Sequence, residues 1–311
     1  MISWQAWMVK LFLRFTVKRQ FKRPAPSPQR AIARLRRSLS RFDGYNRRIT
    51  RGLKIRYVTG GVRGEWLLPD GEPTSCAILY VHGGGYVACS PLSHRPLTTA
   101  LARASGVPVF SLDYRLAPEH PFPAALDDVV AAFDAIRERG IAAERIVLAG
   151  DSAGGGLVLS AGLALRGRGT APGGIVAYSP WTDLAATGAS LRRNAWSDDM
   201  LVGSGVAQSA RSYARGDADV RDPLASPLYG DLAGYPPALV FASTSEVLLD
   251  DAVRFVAKAR ATGAPVELVK ERWMPHVWAI FVDVMPEARR TIAQSAGFIR
   301  GIIAAAPRRA A

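Results

Sequence analysis

Two cysteines and four histidines are scarce in a chain of 311 residues, and each scarcity excludes a class of protein. Cys76 and Cys89 lie thirteen positions apart, with no Cys-x-x-Cys and no Cys/His ligand spacing around them. That pattern suggests neither a disulfide scaffold nor a structural metal, and the two read as buried free thiols. No uninterrupted run of about 18 apolar residues occurs, so no spanning helix is expected. The apolar stretch 9–15 is broken by Lys10 and Arg14, and no small-residue cleavage site follows it. A secretory signal is therefore not expected, and a cytoplasmic location is the default. Internal repeats and low-complexity linkers are missing as well.

Acid is scarce at one end. The chain carries a formal charge of +14, but residues 1–50 hold thirteen Lys and Arg against a single acid, Asp43. This segment thus carries +12, and the remaining body only +2. A near-neutral body with a basic arm excludes a broad nucleic-acid footprint. It leaves an acidic surface such as anionic lipid as a partner for the arm, through peripheral contact. Within the arm, residues 2–21 read as an amphipathic helix, with Trp4, Met8, Leu11 and Phe15 at helical spacing. Pro24, Pro26 and Pro28 end it, and Ser27-Pro28 starts a second helix striped by Ile32, Leu35 and Leu39. The pair either packs on the body, caps an active site or docks on membrane.

From residue 53 the pattern changes. Segments 53–58 and 62–68 are β-rich and joined by Gly60-Gly61, which predicts a hairpin. Apolar strands at 76–81, 107–112, 145–149, 174–178, 238–242 and 266–269 then alternate with helical stretches near 93–104, 122–138, 154–167, 248–262 and 285–304. Buried strands separated by helices predict an α/β fold: a mostly parallel sheet of eight strands, covered on both faces, with the hairpin at one edge. The stretch from Trp181 to Pro236 holds no strand and one weakly helical piece near 206–213, the size of a functional insertion.

Gly150-Asp151-Ser152-Ala153-Gly154 follows the strand 145–149 and opens a helix. That is the placement of a nucleophile elbow, in which a serine sits on a strained turn and its neighbours have no room for side chains. His82-Gly83-Gly84-Gly85-Tyr86 ends the strand 76–81, and its glycines free backbone amides to face a ligand. The amides of Gly83 and Gly84, with that of Ala153, are the expected oxyanion hole. No Gly-Lys-Ser/Thr follows, so the run is not a phosphate loop. A serine hydroxyl needs a base. His82 belongs to the glycine loop, and His94 and His120 come early; His276 alone follows Ser152, as the chain order serine, acid, histidine requires. Three acids stand between them after the strand 238–242: Glu246, nearest the strand end, and Asp250 and Asp251, where a helix begins. Glu246 is the first choice, since acids at a helix start also serve as caps.

Together these motifs resemble the hormone-sensitive-lipase family of esterases, bacterial family IV, from about Val62 to the C-terminus. Asp113-Tyr114-Arg115-Leu116-Ala117-Pro118-Glu119-His120 and Ser179-Pro180-Trp181-Thr182-Asp183 carry the resemblance further and read as bracing. The resemblance implies an α/β-hydrolase fold over residues 51–311 and a helical cap. The cap is expected from residues 1–50 and a second segment at about 185–220. It implies hydrolysis of small apolar esters of short to medium acyl chain through an acyl-enzyme, with no metal or other cofactor. The family's Asp-Pro-Leu-x-Asp-Glu run aligns with Glu246 first, so glutamate stands where most relatives have aspartate. Members resembling monoterpene ε-lactone hydrolases share that feature, which keeps a lactone substrate in view. The family's His-Gly-Phe is His276-Val277-Trp278 here, altering the pocket wall beside the base. Some members bind a hormone and have lost the histidine; with Ser152, His276 and an acid present, an enzyme is the expectation. A cap lined by Trp4, Trp7 and Trp196 and a homodimer complete the expectations.

Overall fold

The computed structural model describes residues 2–23, 25–40, 52–69, 75–216 and 219–307. Residues 41–50, the end of the expected N-terminal segment, lie outside the described residues. The helices are α1 (Trp4–Phe15), α2 (Val17–Lys22), α3 (Pro28–Leu39), α4 (Arg95–Ser105), α5 (Ala124–Glu138), α6 (Ser152–Gly167), α7 (Ser190–Arg193), α8 (Gly203–Tyr213), α9 (Leu249–Ala261) and α10 (Pro286–Ala305). The strands are β1 (Lys54–Thr59), β2 (Arg63–Leu68), β3 (Ala77–Val81), β4 (Val109–Leu112), β5 (Ile146–Asp151), β6 (Gly174–Tyr178), β7 (Ala238–Ser243) and β8 (Val266–Glu271).

One eight-stranded sheet runs in the order β1-β2-β4-β3-β5-β6-β7-β8. The hairpin β1–β2 and the pair β2–β4 are antiparallel, and every other pair is parallel. The expected fold class is therefore the one observed. β3, β5 and β6 are buried along their whole length, because helices cover both faces. Strand β5 runs two residues beyond its apolar run: Gly150 pairs with Ala177 and Asp151 with Tyr178. The chain then turns at Ser152 directly into α6.

Two cores flank the sheet. One joins Leu79, Val81, Phe133, Leu148 and Leu157, and reaches Ile32 of α3. The other joins Ile78, Leu97, Val147 and Trp278, and reaches Ala6, Val9 and Leu13 of α1. The N-terminal helices are therefore part of the folded body. Helix α1 is fixed at its start by Ser3, whose hydroxyl caps the Ala6 amide at 3.1 Å and donates to Glu287 of α10 at 2.8 Å. Helix α3 is fixed by Arg36, which donates to the Val87 carbonyl at 2.7 Å and pairs with Glu119 at 2.8 Å. The face of α1 that meets the body is the one opposite the stripe read from helical spacing: Ala6, Val9 and Leu13 are buried, while Trp4, Met8, Leu11 and Phe15 are largely exposed.

Candidate active site

The loops at the C-terminal ends of β3, β5, β7 and β8 meet in one place, the edge at which open α/β sheets hold ligands. Ser152 stands at the turn between β5 and α6 with φ of +53°, a left-handed conformation that is costly for any residue but glycine. The glycines around it are there for close approach. A Cβ on Gly150 would sit 2.5 Å from the Gly154 carbonyl oxygen, and one on Gly154 would sit 2.1 Å from that of Val81.

The Ser152 hydroxyl lies 2.9 Å from Nε2 of His276, and Nδ1 of that ring lies 2.7 Å from Oε2 of Glu246. A carboxylate only accepts, so the proton sits on Nδ1 and leaves Nε2 free to receive the serine proton. Glu246 is fully buried, and its second oxygen accepts from the Ser243 amide at 2.7 Å. The two loops are also tied by Ser243 and Ser245, whose hydroxyls donate to the Met274 carbonyl at 2.7 and 2.9 Å. Burial works to lower the pKa of His276, but the hydrogen bond and charge of Glu246, with Asp198 and Asp151 behind it, outweigh burial and raise it.

Asp250 and Asp251 face elsewhere. Asp250 accepts from the Ser190 amide at 2.9 Å and pairs with Arg193 at 3.2 Å. Asp251, whose pKa burial pushes well up, accepts from the amides of Thr182 and Asp183 at 2.9 and 2.8 Å. The bracing expected of residues 179–183 has this physical form, and Ser179 adds to it by accepting from the Val277 amide at 3.2 Å.

The glycine loop requires a correction. The Gly83 amide donates to Asp151 at 3.0 Å, so it is not free to meet a developing oxyanion. Asp151 also accepts from the Tyr80 hydroxyl at 2.7 Å and lies 3.2 Å from Nε2 of His94. Burial alone would raise its pKa, but the His94 charge and these bonds hold it below the ordinary carboxylate range. Among the described residues no hydrogen bond uses the amides of Gly84, Gly85 or Ala153. Gly84 and Gly85 have φ of +112° and +63° and line the cavity beside Ser152. Gly84 and Gly85 are thus the glycines of the loop that border the cavity, while the Gly83 amide is engaged by Asp151. Helix α8 presses on this loop, since a Cβ on Gly85 would lie 2.9 Å from the Ser209 hydroxyl. Tyr86 also stacks on Tyr213 of α8, with ring centroids 3.8 Å apart.

Above Ser152 and His276 lies a cavity of about 610 Å3, and its wall is overwhelmingly apolar. Met8, Phe12 and Leu13 of α1, Leu35 and Leu39 of α3, and Met200, Leu201 and Val206 in and before α8 form its outer side. Trp4, Trp7 and Trp196 do not line it and are largely exposed. Of the residues picked out by spacing, Met8, Leu35 and Leu39 do line the cavity, while the three tryptophans do not.

Residues 194–199, inside the expected second cap segment, form a strap over the loop of Glu246. Asn194 donates to the carbonyls of Thr244 and Glu246 at 3.1 and 2.8 Å, and Ser197 to that of Ser245 at 3.0 Å. The same strap is held from outside by α1 and α2. Lys10 and Arg14 both pair with Asp199, the latter at 2.9 Å, and Lys18 donates to the carbonyls of Ala195, at 2.9 Å, and Asp198. Cations spaced 10, 14, 18 along the sequence were the available signal, since that spacing marks one face of a helix.

Residues 78–280 match a family described as the alpha/beta hydrolase fold. An acetyl-hydrolase of Streptomyces hygroscopicus is 43% identical over 247 residues, which are 78% of this chain and 81% of the relative. A crystal structure of EstE5 superposes with a TM-score of 0.90 at 35% identity, covering 97% of this chain and all of the other. An esterase described as belonging to the bacterial hormone-sensitive lipase family superposes at 0.88 with 38% identity, covering 97% and 99%.

Proposed function

The chain belongs to the α/β-hydrolase fold family, among the bacterial hormone-sensitive-lipase esterases, and is a carboxylic ester hydrolase; on that premise we propose that Ser152, His276 and Glu246 carry the reaction. The observation that carries the reading is the unbroken hydrogen-bonded line from Ser152 Oγ through the His276 ring to Glu246. His276 takes the serine proton as Oγ attacks the ester carbonyl. Glu246 holds the ring in the tautomer that can accept it and stabilises the imidazolium that forms. The amides of Gly84, Gly85 and Ala153 receive the negative oxygen, each worth about 3 kcal/mol in the transition state. His276 then gives its proton to the leaving alcohol. A water molecule, activated by the same ring, frees the acid and restores Ser152.

The apolar wall supports small apolar esters of short to medium acyl chain as substrates, and the size of the cavity is that of an ordinary small-molecule site. Residues of α1, α3 and α8 close it from outside, and they are the cap of this reading. Peripheral contact of the basic N-terminal helices with an acidic membrane surface is its second partner.

Steady-state hydrolysis of p-nitrophenyl esters from acetate to laurate, with Ser152→Ala as control, tests this. Turnover that peaks at short chains and vanishes in the variant is expected. A folded protein without turnover at any chain length would overturn it in favour of a ligand-binding role.

A further inference from the structure

The outer face of α1 is uncovered. Trp4, Trp7, Met8, Leu11, Phe12 and Phe15 recur at spacings of three and one and share that face, with exposures from 49% at Phe12 to 71% at Trp4. A soluble body gains nothing from presenting such a stripe to water, and a contiguous exposed apolar patch marks a contact surface. The opposite face explains why the helix does not turn it inward: Ala6, Val9 and Leu13 are packed on the core, and Lys10 is buried against Asp199.

The charge of the segment that carries the stripe selects the partner. Residues 2–40 contain ten Lys and Arg and no Asp or Glu. Three of the ten point inward to the strap, but Arg19, Lys22, Arg23, Arg30 and Arg37 are exposed. A second copy would bring the same acid-free segment face to face with itself. Anionic headgroups complement it, and exposed aromatics in so basic a segment suit the boundary between headgroup and acyl chain. The stripe also leads inward: Met8 and Phe12 are exposed on α1 and line the cavity above Ser152.

We propose that the outer face of α1 docks on an anionic lipid surface, and that esters dissolved in that lipid layer pass along Met8 and Phe12 to Ser152. The route rests on the cavity being the ester site; the docking does not. Trp4, Trp7 and Phe15 contribute to the docking face without lining the cavity, so Trp4→Ala/Trp7→Ala/Phe15→Ala separates the two.

The test is co-sedimentation of the full chain with phosphatidylcholine vesicles, with and without phosphatidylglycerol. Turnover of p-nitrophenyl acetate in solution and of p-nitrophenyl laurate, the longest ester of the series above and one that partitions into lipid, in the vesicles is followed alongside. Binding should require phosphatidylglycerol, weaken with salt, and fall at least about tenfold in the triple variant. The variant should keep its acetate turnover and lose at least about tenfold on the embedded laurate ester. Absence of vesicle binding, or binding that the triple variant leaves intact, would overturn the proposal. So would a wild-type dimer that the triple variant dissociates while vesicles capture neither form. Failure of acetate turnover in the wild type would instead contradict the esterase reading, with vesicle binding still deciding the docking.

Discussion

The Asp198 carboxylate accepts a hydrogen bond from the amide of Val247 at 2.9 Å, one residue beyond Glu246. Its other oxygen accepts from the amides of Met200 and Leu201, both at 2.8 Å, where the chain enters the cavity wall. One buried side chain thus joins the loop of Glu246 to the wall of the cavity above Ser152.

The strap predicts that Asn194→Ala weakens catalysis from outside the cavity. The carbonyls of Thr244 and Glu246 would lose their donor, at a cost of about 1–3 kcal/mol in stability. With Glu246 less well held, kcat should fall about tenfold while KM stays nearly constant, because Asn194 does not line the cavity. Equal loss of amplitude at every pH, tracking only the folded fraction, would show that Asn194 serves stability alone.

The pH profile follows from His276. The ring must be neutral to take the serine proton, and its pKa is raised by Glu246 against the opposing effect of burial. Activity should therefore rise with pH through a value above that of an ordinary histidine. In Glu246→Gln the carboxylate charge is lost and burial remains, so the acid limb should move to lower pH even as kcat drops by about 10²–10⁴. The raised pKa also has a sign in stability: the protonated ring favours the fold at low pH, and that contribution is lost as pH rises through the folded pKa.

Gly154→Ala should be severe although it adds one methyl. The new Cβ would meet the carbonyl oxygens of Val81 and His82 at 2.1 and 2.4 Å, and neither is a flexible side-chain end. A loss of about 3 kcal/mol or more is expected in denaturant melts. Gly167→Ala, whose Cβ would meet open space on the same helix, is the control.

Val277 carries φ of +52°, a rare conformation for a β-branched residue, and it is buried in the cavity wall beside the base. Val277→Gly removes both the strain and the wall. The acyl-chain optimum should lengthen in the p-nitrophenyl ester series, with the short-chain rate reduced. An unchanged optimum would show that Val277 does not limit chain length.

Ser152 and His276 were legible because their signals are local and ordered: a strand, a glycine-flanked serine, a helix, then one later histidine. Glu246 was legible only as the first of three acids; what separates it from Asp250 and Asp251 is the direction each side chain takes, toward residues 190 and 182–183. The engagement of the Gly83 amide was not legible because its acceptor, the Asp151 carboxylate, is distant in sequence. The orientation of α1 was not legible because it has two apolar faces, and the buried one carries Lys10, paired with Asp199, beside Ala6, Val9 and Leu13.

Covalent trapping tests the central claim most directly. The protein is treated with a serine-directed phosphonate ester and its peptides are weighed by mass spectrometry. A single adduct on the Ser152 peptide is expected, absent in Ser152→Ala and formed far more slowly in His276→Ala. Ester hydrolysis that continues with Ser152 unmodified, or an adduct on another serine that abolishes activity, would contradict the account.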